Sequence, residues 1–184
     1  MLDLGGQILL LSGSPGSGKS TTAEALAHLP GGPKAHIHTD DFWGYIKHGH
    51  LDPWLPEADQ QNRMVMRIAG NVGRHYAENG YFVALDGVIR PAALPAYENP
   101  GIPTHYIVLR TSVEEAVARC KARGGDSLTD PLVVAELHEQ FADLDAHEKH
   151  VLPVDGMDRQ ATLEAVVVAL QSGRFLLNSQ QTSS

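Results

Sequence analysis

Short apolar runs alternate along this chain with segments whose apolar positions recur every three or four residues. Ile8, Leu9, Leu10 and Leu11 make the first run and predict a buried strand over Gln7 to Ser12. Further strands are predicted over Ala35 to His38, Tyr81 to Asp86, Thr104 to Leu109 and His150 to Val154. The segments between them carry helical stripes. Thr22, Ala25, Leu26 and Leu29 form one, and Val65, Ile68, Ala69, Val72 and Tyr76 a longer one. Val113, Ala116, Val117 and Cys120 follow, then Val133, Leu137, Phe141 and Leu144, then Leu163, Val166, Val167 and Leu170. Strand and helix in regular alternation, with no internal repeat, predict βαβ units. The fold class is therefore α/β, a parallel sheet covered on both faces.

Local signals sharpen the boundaries. Ser112 followed by Glu115 is a capping box, and Asp130 before Pro131 reads as an N-cap with proline in the first turn. The Gly-rich, polar stretch between these two helices, about 123–130, is a candidate lid. With 184 residues, 42% of them apolar, the chain has the size of one domain with a full core. That domain is predicted over 1–176, followed by a flexible polar tail over 177–184.

Composition narrows the function classes. A net charge of -8 and no cluster of Lys and Arg oppose a nucleic-acid footprint, which leaves a small-molecule partner and a monomer or homodimer. No apolar run reaches the length of a membrane span, and no basic segment leads an apolar one at the N-terminus, so a cytoplasmic protein without a membrane partner is expected. Cys120, the single cysteine, falls on a helical apolar stripe and reads as a core residue.

One motif changes the picture. Gly13 to Ser20 read G-S-P-G-S-G-K-S, a complete GxxxxGK[ST] phosphate loop, between a predicted strand and a predicted helix. Backbone N–H groups of such a loop and the helix N-terminus behind it form an anion cradle. Gly13, Ser14, Pro15, Gly16, Ser17, Gly18, Lys19, Ser20 and Thr21 are thus the expected ATP-binding segment. Lys19 is expected to reach the outer phosphates, and the Ser20 hydroxyl to bind Mg²⁺. No N-K-x-D guanine motif occurs, which opposes a GTPase switch.

Acids follow two of the predicted strands, at the edge where open α/β sheets bind ligands. Asp40 is expected to accept the proton of an attacking hydroxyl, whereas the adjacent Asp41 reads better as a helix cap; capping remains the alternative for both. Asp86 closes the third strand in the manner of a Walker-B acid that orients Mg²⁺. Arg90, four residues on, reads equally as a substrate contact or a surface arginine. Arg119 and Arg123 share one face of the helix entering the lid, suited to the nucleotide and to the transferring phosphoryl, with a solvated basic face as the alternative. Arg110 is ambiguous in the same way. Phe42, Trp43 and Trp54 read as pocket walls or as core, and the segment from Pro56 to Arg63 carries amides suited to reading hydroxyls. The pairs His36-x-His38 and His48-x-His50 lack the partners of a transition-metal site.

The phosphate loop, the acid after the second strand, the Walker-B acid and the arginine pair before a lid stand in an order that resembles small P-loop kinases of the nucleoside-monophosphate-kinase type. Within that group the chain looks most similar to shikimate kinase, gluconate kinase and chloramphenicol phosphotransferase. The resemblance implies a five-stranded parallel sheet in the order 2-3-1-4-5, Mg·ATP as phosphoryl donor and a small hydroxyl compound as acceptor. By position it implies Lys19, Asp40 and Arg123 as catalytic, Arg119 beside adenine, the turn around Asp155 to Met157 near the base edge, and Asp40, Phe42, Arg63 and Arg90 toward the acceptor. The candidate lid, Gly124, Gly125, Asp126, Ser127, lacks the basic cluster that shikimate and gluconate kinases carry there. Alternatives are a cytidylate-kinase-like nucleotide kinase, a kinase of nucleic-acid ends or of sugar nucleotides as among toxin-type kinases, and a non-catalytic ATP-binding sensor.

Overall fold

Ile8 to Leu11 are fully buried, and the strand they form, β1 (Ile8–Gly13), lies in the middle of a five-stranded sheet. The computed structural model describes residues 4–123 and 130–177. β2 (Lys34–His38), β3 (Phe82–Asp86), β4 (Thr104–Arg110) and β5 (Val151–Pro153) complete the sheet, in the order β2-β3-β1-β4-β5. All these strands pair in parallel, so helices must cross over and cover both faces. α1 (Lys19–Ala27) and α6 (Arg159–Ser172) cover one face, where Ala23, Leu26, Val166 and Leu170 pack on Leu9, Leu11, Ala84 and Leu109. α3 (Asp59–Glu78) covers the other, over Ile8, Leu10, Val83 and Leu85.

The predicted stripe of α3 is rotated in the structure. Val65 and Ala69 are buried as expected, but Ile68 and Tyr76 are exposed, and Gly70, Gly73 and Ala77 take the inward positions. The helix lies too close to its neighbours for larger groups: a Cβ on Gly70 would stand 2.7 Å from the Ala96 carbonyl, and one on Gly73 equally near Leu85. Small residues therefore mark the buried face, a signal that a hydrophobicity pattern does not weigh.

α4 (Val113–Arg123) and α5 (Pro131–Glu139) pack on each other through Ala116, Cys120 and Val134, with Cys120 in the core as expected. The predicted stripe of Val133, Leu137, Phe141 and Leu144 is not one helix. α5 ends at Glu139, Val134 is its buried residue, and Phe141 and Leu144 reach the main core from the following turn. Asp130 does cap α5, its carboxylate accepting from the Leu132 N–H at 2.9 Å. Ser112 Oγ accepts from Glu115 N–H at 3.4 Å, but the reciprocal bond of a capping box goes elsewhere: Asp155 takes the Ser112 N–H at 2.9 Å.

β5 pairs only with the last residues of β4, Val108 to Arg110. Below it the chain after α6 returns along the same edge, with Tyr106 N–H on the Phe175 carbonyl and Leu177 N–H on the Thr104 carbonyl, both at 2.8 Å. Leu177 is thus hydrogen-bonded to β4. The tail after it, and the candidate lid apart from Arg123 and Asp130, lie outside the described residues. Among those described, no helix is long and apolar enough to cross a membrane.

Candidate active site

β1 runs out into the phosphate loop, and α1 begins at its lysine. Gly13, Gly16 and Gly18 all have positive φ, 145°, 81° and 93°. Space as well as conformation requires glycine here, because a Cβ on Gly16 would run into the Ala116 carbonyl of α4 and one on Gly13 into the Leu109 carbonyl. Ser14, Ser17 and Lys19 are buried against the loop, and Ser17 Oγ has no hydrogen-bond partner among the described residues. A loop curled in this way at the start of a helix fits an anionic group.

A cleft of about 390 Å³ continues from the loop, lined by Gly16, Gly18, Thr21, Arg119, Met157 and Thr162 among others. Arg119 is positioned rather than solvated. Its guanidinium donates to Glu115 Oε1 at 2.5 Å, to the Met157 carbonyl at 2.8 Å and to the Gly16 carbonyl at 3.5 Å. Glu115 also accepts from Thr111 Oγ1 at 2.6 Å and from Gly156 N–H at 3.0 Å, so α4 is tied to the turn after β5. In that turn the Ser112 N–H and side chain hold the Asp155 carboxyl low, at about 2. Arg123 ends α4, and its side chain lies outside the described part.

At the head of β3, Asp86 is fully buried. Burial raises its pKa, but hydrogen bonds from His36, His38 and Ser20 outweigh this and hold it well below the usual carboxylate range. Ser20 Oγ donates to Oδ2 at 2.5 Å, His36 Nε2 lies 2.6 Å from Oδ1, and His38 Nδ1 lies 3.1 and 3.2 Å from the two oxygens. His36 Nδ1 is in turn 2.6 Å from Glu24 Oε2 on α1. Both histidines are pushed up in pKa, first by the Asp86 hydrogen bond and against burial. Neither had been assigned to the site from sequence. The available signal was their i, i+2 spacing, which puts both on one face of β2, with His38 in register with Asp86.

The Ser20 hydroxyl and the Asp86 carboxylate, both oxygen donors side by side at the loop, have the chemistry of a Mg²⁺ site. Asp40 stands at the end of β2 and opens the short helix α2 (Asp41–Gly44), but its side chain makes no capping bond. Its carboxylate is 53% exposed and 4.0 Å from His38 Nε2. The loss of water raises its pKa, opposed by the charges of Lys19 and His38. Gly87 lets Thr39 and Asp40 come this close to β3, since a Cβ there would collide with Thr39 Oγ1.

The remaining predicted residues are distributed unevenly. Phe42 is half-buried, packed on the α3-side core and edge-to-face with Tyr45 at 5.7 Å. Arg90 is exposed at the start of a 3₁₀ turn, behind Ile89, whose backbone is pinned by Ser12 and Tyr106. Arg63 is not brought to this cluster: it lies on the outward face of α3, ion-paired with Asp59 one turn away. The nearby amides are also occupied. Gln61 binds both backbone groups of Leu51, and Asn62 joins Trp43 Nε1 to the Pro53 carbonyl, which fastens the long connection between α2 and α3. Trp54 is exposed, and Arg110 is bound to Glu148 and the Phe141 carbonyl, a structural role.

Sheet order, phosphate loop and flanking acids together define a kinase-like P-loop NTPase. The fold is similar to that of a gluconokinase from Sinorhizobium meliloti (TM-score 0.67, 18% identity, 90% of this chain and 92% of that one). It is similar as well to thymidylate kinase from Candida albicans (0.62, 18%, 95% and 96%) and to a tunicamycin resistance protein from Deinococcus radiodurans (0.61, 18%, 92% and 97%). The Zeta toxin family model matches residues 6–182, and the chain belongs to that family. None of the curated proteins compared with it matches.

Proposed function

We propose that this protein is a phosphotransferase that moves the γ-phosphoryl group of Mg·ATP to a hydroxyl of a small molecule. The observation that carries the reading is Asp40: a carboxylate at the helix start that caps nothing, is half exposed at the end of β2 and lies within the field of Lys19. A carboxylate so placed accepts the proton of an incoming hydroxyl, and its raised pKa brings it nearer to that task. The phosphate loop binds and orients the donor, Lys19 offsets charge on its outer phosphates, and Arg119 with the turn at Met157 walls the nucleotide cleft. Ser20 and Asp86 would hold Mg²⁺, which when bound neutralises charge on the phosphates. The acceptor side offers few cations among the described residues. Its backbone is fixed by Thr39 and Ile89, and Arg90 is the basic group beyond the Walker-B acid.

The test is ADP release in Mg·ATP against a panel of hydroxylated metabolites, nucleosides, sugar nucleotides and antibiotics. An acceptor that raises the rate in the wild type should lose about 10²- to 10⁴-fold in kcat with Asp40→Asn while ADP affinity is kept. Lys19→Ala should lose activity altogether. Full turnover in Asp40→Asn would sink the assignment of the base.

A further inference from the structure

The buried Asp86 has more partners than a carboxylate that only meets a metal shell requires. Its Oδ2 faces Ser20 across 2.5 Å, and its Oδ1 faces His36 across 2.6 Å, so the group is gripped from the phosphate loop on one side and from β2 on the other. His36 is itself held from behind, with Nδ1 2.6 Å from Glu24. A carboxylate turns about its last bond unless something fixes it, and each oxygen offers two acceptor directions. Here the partner on Oδ1 decides how Oδ2 is presented to Ser20. His38 is shared between both oxygens at 3.1 and 3.2 Å, longer contacts than the one His36 makes to Oδ1 alone.

We propose that His36, braced by Glu24, is a positioning residue that sets the orientation of Asp86 and thereby the affinity of the Ser20–Asp86 pair for a divalent cation. This rests on the Mg·nucleotide reading above. His36 is not among the residues that line the cleft at the phosphate loop. Its effect is expected on metal affinity more than on the loop backbone, because the loop glycines abut the Leu109 and Ala116 carbonyls and not His36. Partners behind a metal ligand commonly change metal affinity about 10- to 100-fold. Glu24 is 59% exposed, so its own contribution is smaller.

The experiment is a Mg²⁺ titration of the binding of a fluorescent ADP analogue to the full chain, repeated in EDTA, with melting curves for each variant. His36→Ala should raise the Mg²⁺ concentration for half-maximal binding at least about tenfold, while affinity in EDTA stays within about twofold. His36→Gln keeps an N–H donor toward Asp86 and should restore the midpoint to within about threefold. An unchanged midpoint in His36→Ala overturns the proposal. So does an equal loss of ADP affinity in EDTA, which would make His36 a support of the fold. If wild-type protein binds the ADP analogue but Mg²⁺ does not tighten it, the metal pair fails; if it does not bind ADP at all, the nucleotide reading fails with it.

Discussion

Arg119 spreads one guanidinium over three acceptors, a carboxylate and two backbone carbonyls, from three separate elements. A planar fork with several donors can do this; an ammonium on a flexible stem cannot. Arg119→Lys should therefore keep the charge and still loosen the nucleotide cleft. The expected result is a rise of about tenfold in KM for ATP with kcat within about twofold, read from initial rates once an acceptor is known, or from ADP binding before that. A surface arginine would show neither change. The places of the phosphate loop, Asp40 and Asp86 were legible in the sequence, because the loop is contiguous and the two acids stand at the ends of strands. His36 and His38 were not, because their partner Asp86 lies far away along the chain and meets them only through the adjacency of β2 and β3.

Helix α3 shows how an element can be predicted correctly and still be turned the wrong way. Its length follows from the apolar stripe, but its rotation is set by how closely its backbone approaches the neighbouring layer. Gly70 faces a backbone carbonyl and Gly73 the end of a leucine side chain. A methyl at Gly70 has nothing that can yield, so Gly70→Ala should destabilise by about 1–3 kcal/mol despite the helix propensity it gains. Leu85 can move a methyl group aside, so Gly73→Ala should cost less, and in urea denaturation the two midpoints should differ in that order. The same reasoning explains the amides of Gln61 and Asn62. Their polarity suggested recognition of hydroxyls, but the long connection after α2 has few apolar anchors and uses those amides to stay attached.

Across the whole molecule, stability responds to pH through histidines of opposite kind. Burial lowers the pKa of His105 and of His150, so near pH 6 the unfolded chain binds protons that the folded one does not. Stability from these groups is present above the ordinary value of 6.5 and is lost as pH falls below it toward their folded values. His36 and His38 are shifted upward and act in the other direction: their contribution is full below 6.5 and fades as pH rises through their folded values. His105→Gln should accordingly lose less stability than wild type between about pH 7.5 and about pH 5.5 in urea denaturation, and an identical loss would remove His105 from the account. The α/β class and the central strands were legible at this scale, because β1, β3 and β4 are buried on both faces and read as apolar runs. The sheet order followed only from the family resemblance. β5 is shorter than predicted, and the chain after α6 takes the β4 edge from Thr104 to Tyr106.

Ser20 and Glu24 sit one turn apart on α1, and both lead to Asp86, the first directly and the second through His36. The result is a closed frame whose corners are a helix, two strands and the helix again. Two links from one helix to one carboxylate couple α1 to the acid of β3, so a pivot of α1 should carry Asp86 with it. α1, β2 and β3 then behave together as an anvil, one block against which a phosphate group held by the loop would rest.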